Sequence, residues 1–171
     1  LANKGVIMAR IEIPGVPDAL EVVTSHYNSK GASGVSLDRS LEAHQLQMEA
    51  TGEFLKEVSN YDLPGIWGGD LNMRHSEERI TYFVERFGNN LNEVSSYCVE
   101  NPELCEVATD WGTDTPWFEN QDLQGWISGK RVSIEPIRVE AAFNEPIDGL
   151  LPSDHNALVV IYRLSWQVPN D

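Results

Sequence analysis

The stretch PGIWGGDLNMR, Pro64 to Arg74, sets the fold class. A short apolar run is closed by two glycines and an acid, the pattern of a buried strand that delivers Asp70 at its C-terminal end. Before it, Leu41, His44, Met48, Thr51, Leu55 and Val58 recur at spacings of three and four, drawing one face of a helix over about Asp38 to Val58. His44 on that stripe is read as a core histidine with its ring satisfied. The segment Asn60-Tyr61-Asp62-Leu63-Pro64 ends this helix. After the strand, Ser76 can cap a second helix with Glu77 and Glu78 in its first turn, and Ile80, Phe83, Val84 and Phe87 form the inner stripe.

Farther out, apolar residues alternate through Gly5–Ile13 and Leu20–Thr24, so two strands meet around the turn PGVPD, and SKGASGVS is a loop. Asn89 to Gln121 is mostly irregular, with Trp111, Trp117 and Phe118 embedded in it. DLQGWIS, VSIEPIRVEAAF and HNALVVIYRL then give three more strands. Strands with two helices between them indicate a mixed α/β layered domain.

At 171 residues the chain suits one domain, 1–171, with a real core. No apolar run approaches the ~20 residues of a membrane-spanning helix. The opening LANKGVIMARIEI resembles a strand more than a leader. Twelve Lys and Arg against 27 Asp and Glu give a formal net charge of -15, so the chain as a whole repels nucleic acid and anionic membrane. From Phe87 to Gly129 there is no Lys or Arg, while acids recur from Glu93 to Asp122. These acids form a solvated acidic face or supply loop carboxylates to a structural Ca2+. Cys98 and Cys105, in YCVENPELC, suit either a short disulfide loop or two free thiols. A disulfide would place the protein in an oxidising compartment, secreted or periplasmic.

The polar candidates sort by position. His26 ends the strand EVVTSH, Asp70 and Asn72 follow the strand GIWGG, Asp122 opens DLQGWIS, and Asp154 and His155 open the last strand. All lie at strand ends, where layered α/β folds place their sites. A serine-hydrolase triad of Ser153, Asp154 and His155 is poor, because successive strand residues face opposite ways. The His-x-His and His-Glu-x-x-His spacings of zinc hydrolases are absent, as are the Asp-x-His and Gly-Asn-His of calcineurin-like phosphoesterases.

GGDLNMR resembles the Gly-Asp-Phe-Asn motif of the endonuclease/exonuclease/phosphatase superfamily, which includes pancreatic deoxyribonuclease, abasic-site endonucleases, inositol-polyphosphate phosphatases and sphingomyelinases. PSDHNALVV resembles the closing Ser-Asp-His strand of that family and VVTSHYNS its Thr-His strand end. QDLQGWISG sits where the family has an Asp opening the penultimate motif. The order matches, but the likeness covers only about the C-terminal half of the family domain.

The resemblance implies part of a four-layer α/β/β/α sandwich with mixed, mainly antiparallel sheets. It also implies phosphodiester hydrolysis with Mg2+ or Mn2+. His155 would contact the phosphate and help activate water, with Asp122 accepting its ring N–H. Asp154 would be a metal ligand, Asp70 and Asn72 would place the attacking water or a second metal, and His26 would serve a phosphate oxygen or the leaving group. The early Asn and the metal-binding Glu of the family have no counterpart here. The resemblance therefore leaves an open sheet edge and an apolar face, to be covered by the missing half in cis or from another chain. Substrates in the family's range are nucleic acid or a small or lipid phosphodiester, and a non-catalytic binding module is the competing class. The tryptophans at 111, 117 and 126 with Phe118 suit core or loop packing, base stacking or a membrane interface. His75, beside Ser76 at a helix start, is read as solvated, with substrate contact by the Arg74-His75 pair near Asp70 as the alternative.

Overall fold

The computed structural model describes residues 4–29, 34–73, 76–87, 92–106, 122–142, 146–150, 152–153, 155 and 157–167. In chain order the elements are β1 (Val6–Ile11), β2 (Leu20–Ser25), α1 (Leu37–Val58), β3 (Gly65–Asp70), α2 (Glu77–Phe87), β4 (Asn92–Glu93), α3 (Val94–Glu100), β5 (Cys105–Glu106), β6 (Asp122–Ile127), β7 (Val132–Ala142) and β8 (Ala157–Trp166). The strands form two open sheets, ordered β1-β2-β3-β6-β4 and β5-β7-β8. Pairing is antiparallel except for β2 with β3 and β5 with β7. This is the mixed, mainly antiparallel α/β arrangement expected from the sequence.

Each face of the larger sheet has its own core. Toward the helices, Tyr27, Met48, Leu71, Met73, Ile80, Phe83 and Leu123 are buried together, with Trp67 packed against them. Between the sheets, Leu20, Val94, Cys98, Trp126, Ile134 and Val139 form the second core. Strand alternation explains the split: Ile66 faces the inter-sheet core and Trp67 faces α2, where its ring centroid lies 5.1 Å from that of Phe83. Trp126 is thus a core residue, whereas Trp111, Trp117 and Phe118 lie outside the described residues.

Both long helices form where the spacing placed them, but the stripe on α2 differs. Val84 is exposed and Arg79 is buried in its place, at 1% exposure. The segment read as mostly irregular contains α3 and two short strands. Glu93 caps α3, its carboxylate accepting from the N–H groups of Ser95 and Ser96 at 2.7 and 2.8 Å. Another buried acid, Glu21, fastens β1 and the end of α1 to β2 by accepting from Arg10 at 2.9 Å and from the Asn60 N–H at 2.9 Å.

Cys98 and Cys105 are joined in a disulfide that links α3 to β5. The sequence separation is 7, and a loop that short limits the stabilisation to about 2.5 kcal/mol in the chain-entropy picture. Reduction with dithiothreitol is therefore expected to lower the melting temperature by several degrees without unfolding the chain, read by circular dichroism. Loss of the folded signal at 25 °C would show that the bridge holds more than this loop.

Among the described residues, β8 is the edge of the smaller sheet, a strand of ten that pairs only with β7. Its inward side chains Leu158, Val160 and Leu164 are only half-buried, and its outward Val159 and Ile161 are 41% and 43% exposed. A long edge strand with apolar side chains on both faces is a pairing surface that folded proteins normally cover. No described helix is long and apolar enough to cross a membrane.

Candidate functional site

The strand ends gather four of the expected side chains. β3 and β6 run antiparallel with Asp70 opposite Asp122, so the last residue of one strand faces the first of the other. Each carboxylate meets a histidine from a different element. His26, the residue after β2, places Nε2 3.3 Å from Oδ2 of Asp70. His155, before β8 in the second sheet, places Nδ1 2.6 Å from Oδ2 of Asp122. The His155–Asp122 pair lines a cleft of about 430 Å³ between the sheets, together with Thr24, Gly68 and Ser153.

The two glycines before Asp70 have a steric cause. Gly69 has φ +143, and a Cβ there would lie 2.1 Å from the carbonyl oxygen of Ser25. A Cβ on Gly68 would lie 2.9 Å from the carbonyl oxygen of Leu123. Only bare backbone lets the ends of β2 and β6 close in on the end of β3. His26, Asp70 and Asp122 arrive together for that reason.

Beyond β3 the chain turns through Asn72, whose φ of +50 lies in the left-handed region that asparagine tolerates. Its N–H donates to Oδ1 of Asp70 at 3.0 Å, and its side-chain amide donates to the Tyr27 carbonyl at 3.1 Å. Asn72 is buried and ties the Asp70 loop to the His26 loop. Ser153 acts similarly for His155, its hydroxyl accepting from the His155 N–H at 3.1 Å. The Ser-Asp-His motif singles out this serine, and the structure adds its role as the acceptor for the His155 N–H. Asp154, Arg74 and His75 lie outside the described residues. His44 lies on the far side of Leu71, fully buried with Nε2 2.7 Å from the Leu71 carbonyl.

Burial raises the Asp122 carboxyl above the usual carboxylate range, and the negative charge of Asp70 adds to the rise. His155, by charge and hydrogen bond, and His26 oppose it. Two half-buried carboxylates held as cross-strand neighbours repel, and a cation between them removes that cost. Asp70, Asp122 and His155 each offer a ligand atom, all within 4.8 Å of one another, and form a candidate divalent-cation cluster. Carboxylate oxygens with an imidazole suit a hard divalent ion, which keeps water or substrate oxygens in its remaining positions. The donor set fits such an ion. If the 2.6 Å His155–Asp122 bond is kept, Asp122 contributes its other oxygen.

No family model matches the sequence and no curated protein matches it significantly. Solved structures do match. The chain superposes on D. rerio TDP2 in complex with a single-strand DNA product with a TM-score of 0.67 and 18% identity, covering 94% of this chain and 62% of that one. The endonuclease/exonuclease/phosphatase protein of Bacteroides vulgatus gives 0.60 and 15%, covering 94% and 55%. Beta toxin of Staphylococcus aureus with bound magnesium ions gives 0.54 and 14%, covering 97% and 58%. The fold is that of the endonuclease/exonuclease/phosphatase proteins, and the chain spans little more than half the length of the solved chains it matches.

Proposed function

We propose that the protein containing this chain is a divalent-metal-dependent phosphodiester hydrolase, nuclease-like in its substrate class. The observation that carries this reading is the gathering of Asp70, Asp122 and His155 within ligand distance of one another at strand ends from two sheets. His26 is paired to Asp70, and the His155–Asp122 pair lines a cleft. A phosphoryl group needs its charge neutralised, water activated and the leaving oxygen steadied. A bound Mg2+ or Mn2+ would supply the first, held by Asp70 and Asp122, with Asp154 and Asn72 as the further ligands that the motif resemblance suggests. The magnesium in the structurally similar beta toxin supports that choice. Asp122 accepts the Nδ1–H of His155, which fixes the tautomer and leaves Nε2 unprotonated to take a proton from water; once protonated, Nε2 can donate to a phosphate oxygen. His26, oriented by Asp70, serves the leaving oxygen. The net charge of -15 leaves cations and histidines to attract the substrate anion.

A second reading has its own support. The described cluster has only three donors, and no glutamate is among them. Taken alone, the chain would then be a binding module with the fold and without turnover. In our reading the remaining ligands come from a segment that also pairs with the free edge of β8, in cis or from another chain. The test is hydrolysis of bis(p-nitrophenyl) phosphate by the full-length protein. Magnesium-dependent release of nitrophenol, abolished by EDTA and absent from residues 1–171 alone, is the expected result. No release from the full-length protein under any divalent ion would leave the binding module. Cleavage of a single-stranded oligonucleotide in the same assay would separate a nuclease from a lipid or small-molecule phosphodiesterase.

A further inference from the structure

Arg79 is the largest fully buried side chain in the described structure. Removing a guanidinium from water costs several kcal/mol unless its donors are matched, and the α2 stripe needs only an apolar residue of similar volume. The donors are matched with a particular set of acceptors. Nη1 donates to the carbonyls of Asn28 at 3.0 Å and Asn72 at 2.7 Å. Nη2 donates to the hydroxyl of Ser40 at 2.9 Å and lies 3.5 Å from its carbonyl. None of these acceptors is a carboxylate. Asn28 is two residues past His26 and Asn72 is two residues past Asp70.

The loops therefore have three cross-links after the β2–β3 ladder ends. The Tyr27 N–H donates to the Asp70 carbonyl at 3.0 Å, the Asn72 amide donates to the Tyr27 carbonyl at 3.1 Å, and Arg79 closes the set by holding both outgoing carbonyls with one nitrogen. We propose that Arg79 is a positioning residue, a buried clamp that fixes the His26 loop against the Asp70 loop and so sets the contact between His26 and Asp70. This rests on the proposed role of that pair. A planar fork with five donors can reach Asn28, Asn72 and Ser40 at once, whereas a lysine ammonium cannot span the same acceptors in the same plane.

The experiment uses isotope-labelled residues 1–171 and follows the ring signals of His26 and His155 by long-range nitrogen–proton correlation, assigned with His26→Gln and His155→Gln. In Arg79→Met the His26 signals are expected to move to where Asp70→Asn puts them, while those of His155 stay in place. Arg79→Lys is expected to fall between. A general loosening would move both histidines. Mn2+ titration gives the second readout. Loss of an outer positioning group weakens metal affinity by about 10- to 100-fold, so Mn2+ should broaden His155 at a tenfold or higher concentration in Arg79→Met. If that variant fails to fold, Arg79→Lys carries both measurements. Unchanged His26 signals with only a lower melting temperature would overturn the proposal. Failure of Mn2+ to bind the parent chain would count against the metal site instead, and the metal-free His26 shift would still decide the role of Arg79.

Discussion

His155→Ala is expected to lower kcat for bis(p-nitrophenyl) phosphate by about 10²- to 10⁴-fold in the full-length protein, the range for a positioned acid–base group. KM is expected to change far less. The variant removes the only described histidine paired with Asp122, and alanine leaves that carboxylate facing Asp70 without its hydrogen-bond donor. Asp122→Asn is expected to lose less, since an amide can still hold the ring but favours the wrong tautomer and gives up charge to the cation. The double variant should fall close to His155→Ala alone, because the pair acts as a unit. Burial and Asp70 hold the Asp122 carboxyl above the usual range. Protonation of this carboxyl competes with the cation, so the acid limb of the rate profile should move to lower pH as Mg2+ is raised. Steady-state rates measure all of this, and a loss under tenfold in His155→Ala would remove the imidazole from the chemistry.

Much of this site was legible because its residues sit at strand ends flanked by distinctive neighbours. Gly68-Gly69-Asp70 marks a place where backbones crowd, and the Ser153 hydroxyl accepts from the His155 N–H two residues on. Periodicity found α1 and the long strands because one face of each is buried. The same logic failed at α2. Glu77-Glu78-Arg79 looks like a solvated first turn, and nothing local reveals that the third residue is buried against three carbonyls from 7, 39 and 51 positions away. Burial of a charge is decided by partners distant in sequence. The short elements between residues 92 and 106 were missed for a related reason. Two-residue strands have no period. The seven residues of α3 carry only one turn of an inward stripe, Val94, Tyr97 and Cys98, too short to read as a helix, with a buried glutamate cap and a disulfide at its ends.

His44 should make the fold sensitive to mild acid. Its ring is fully buried, Nε2 carries the proton given to the Leu71 carbonyl, and Nδ1 has no hydrogen-bond partner among the described residues. Protonating Nδ1 would bury a charge with nothing to receive it. Burial, with the Arg79 cation adding to it, lowers the pKa from 6.5 to about 4, although the hydrogen bond to Leu71 works the other way. The Tyr27 ring meets it edge-on at 5.3 Å and offers no countercharge. The folded value lies below the unfolded one, so the unfolded chain binds more protons between them. Stability from this residue is complete above pH 6.5, declines as pH falls toward 4, and levels off below; the span corresponds to about 3 kcal/mol. Burial pushes the carboxyls of Asp122 and Glu93 upward, which makes the fold lose stability as pH rises through their range and partly masks the slope. Comparison with His44→Gln removes that mask, because glutamine can still donate an N–H but does not titrate. Urea unfolding at pH 7 and at pH 4.5 should show a fall in stability for the parent chain that exceeds the fall for His44→Gln by roughly 2 to 3 kcal/mol. Equal falls would mean that His44 is protonated in the folded chain, and a second acceptor would then have to reach Nδ1.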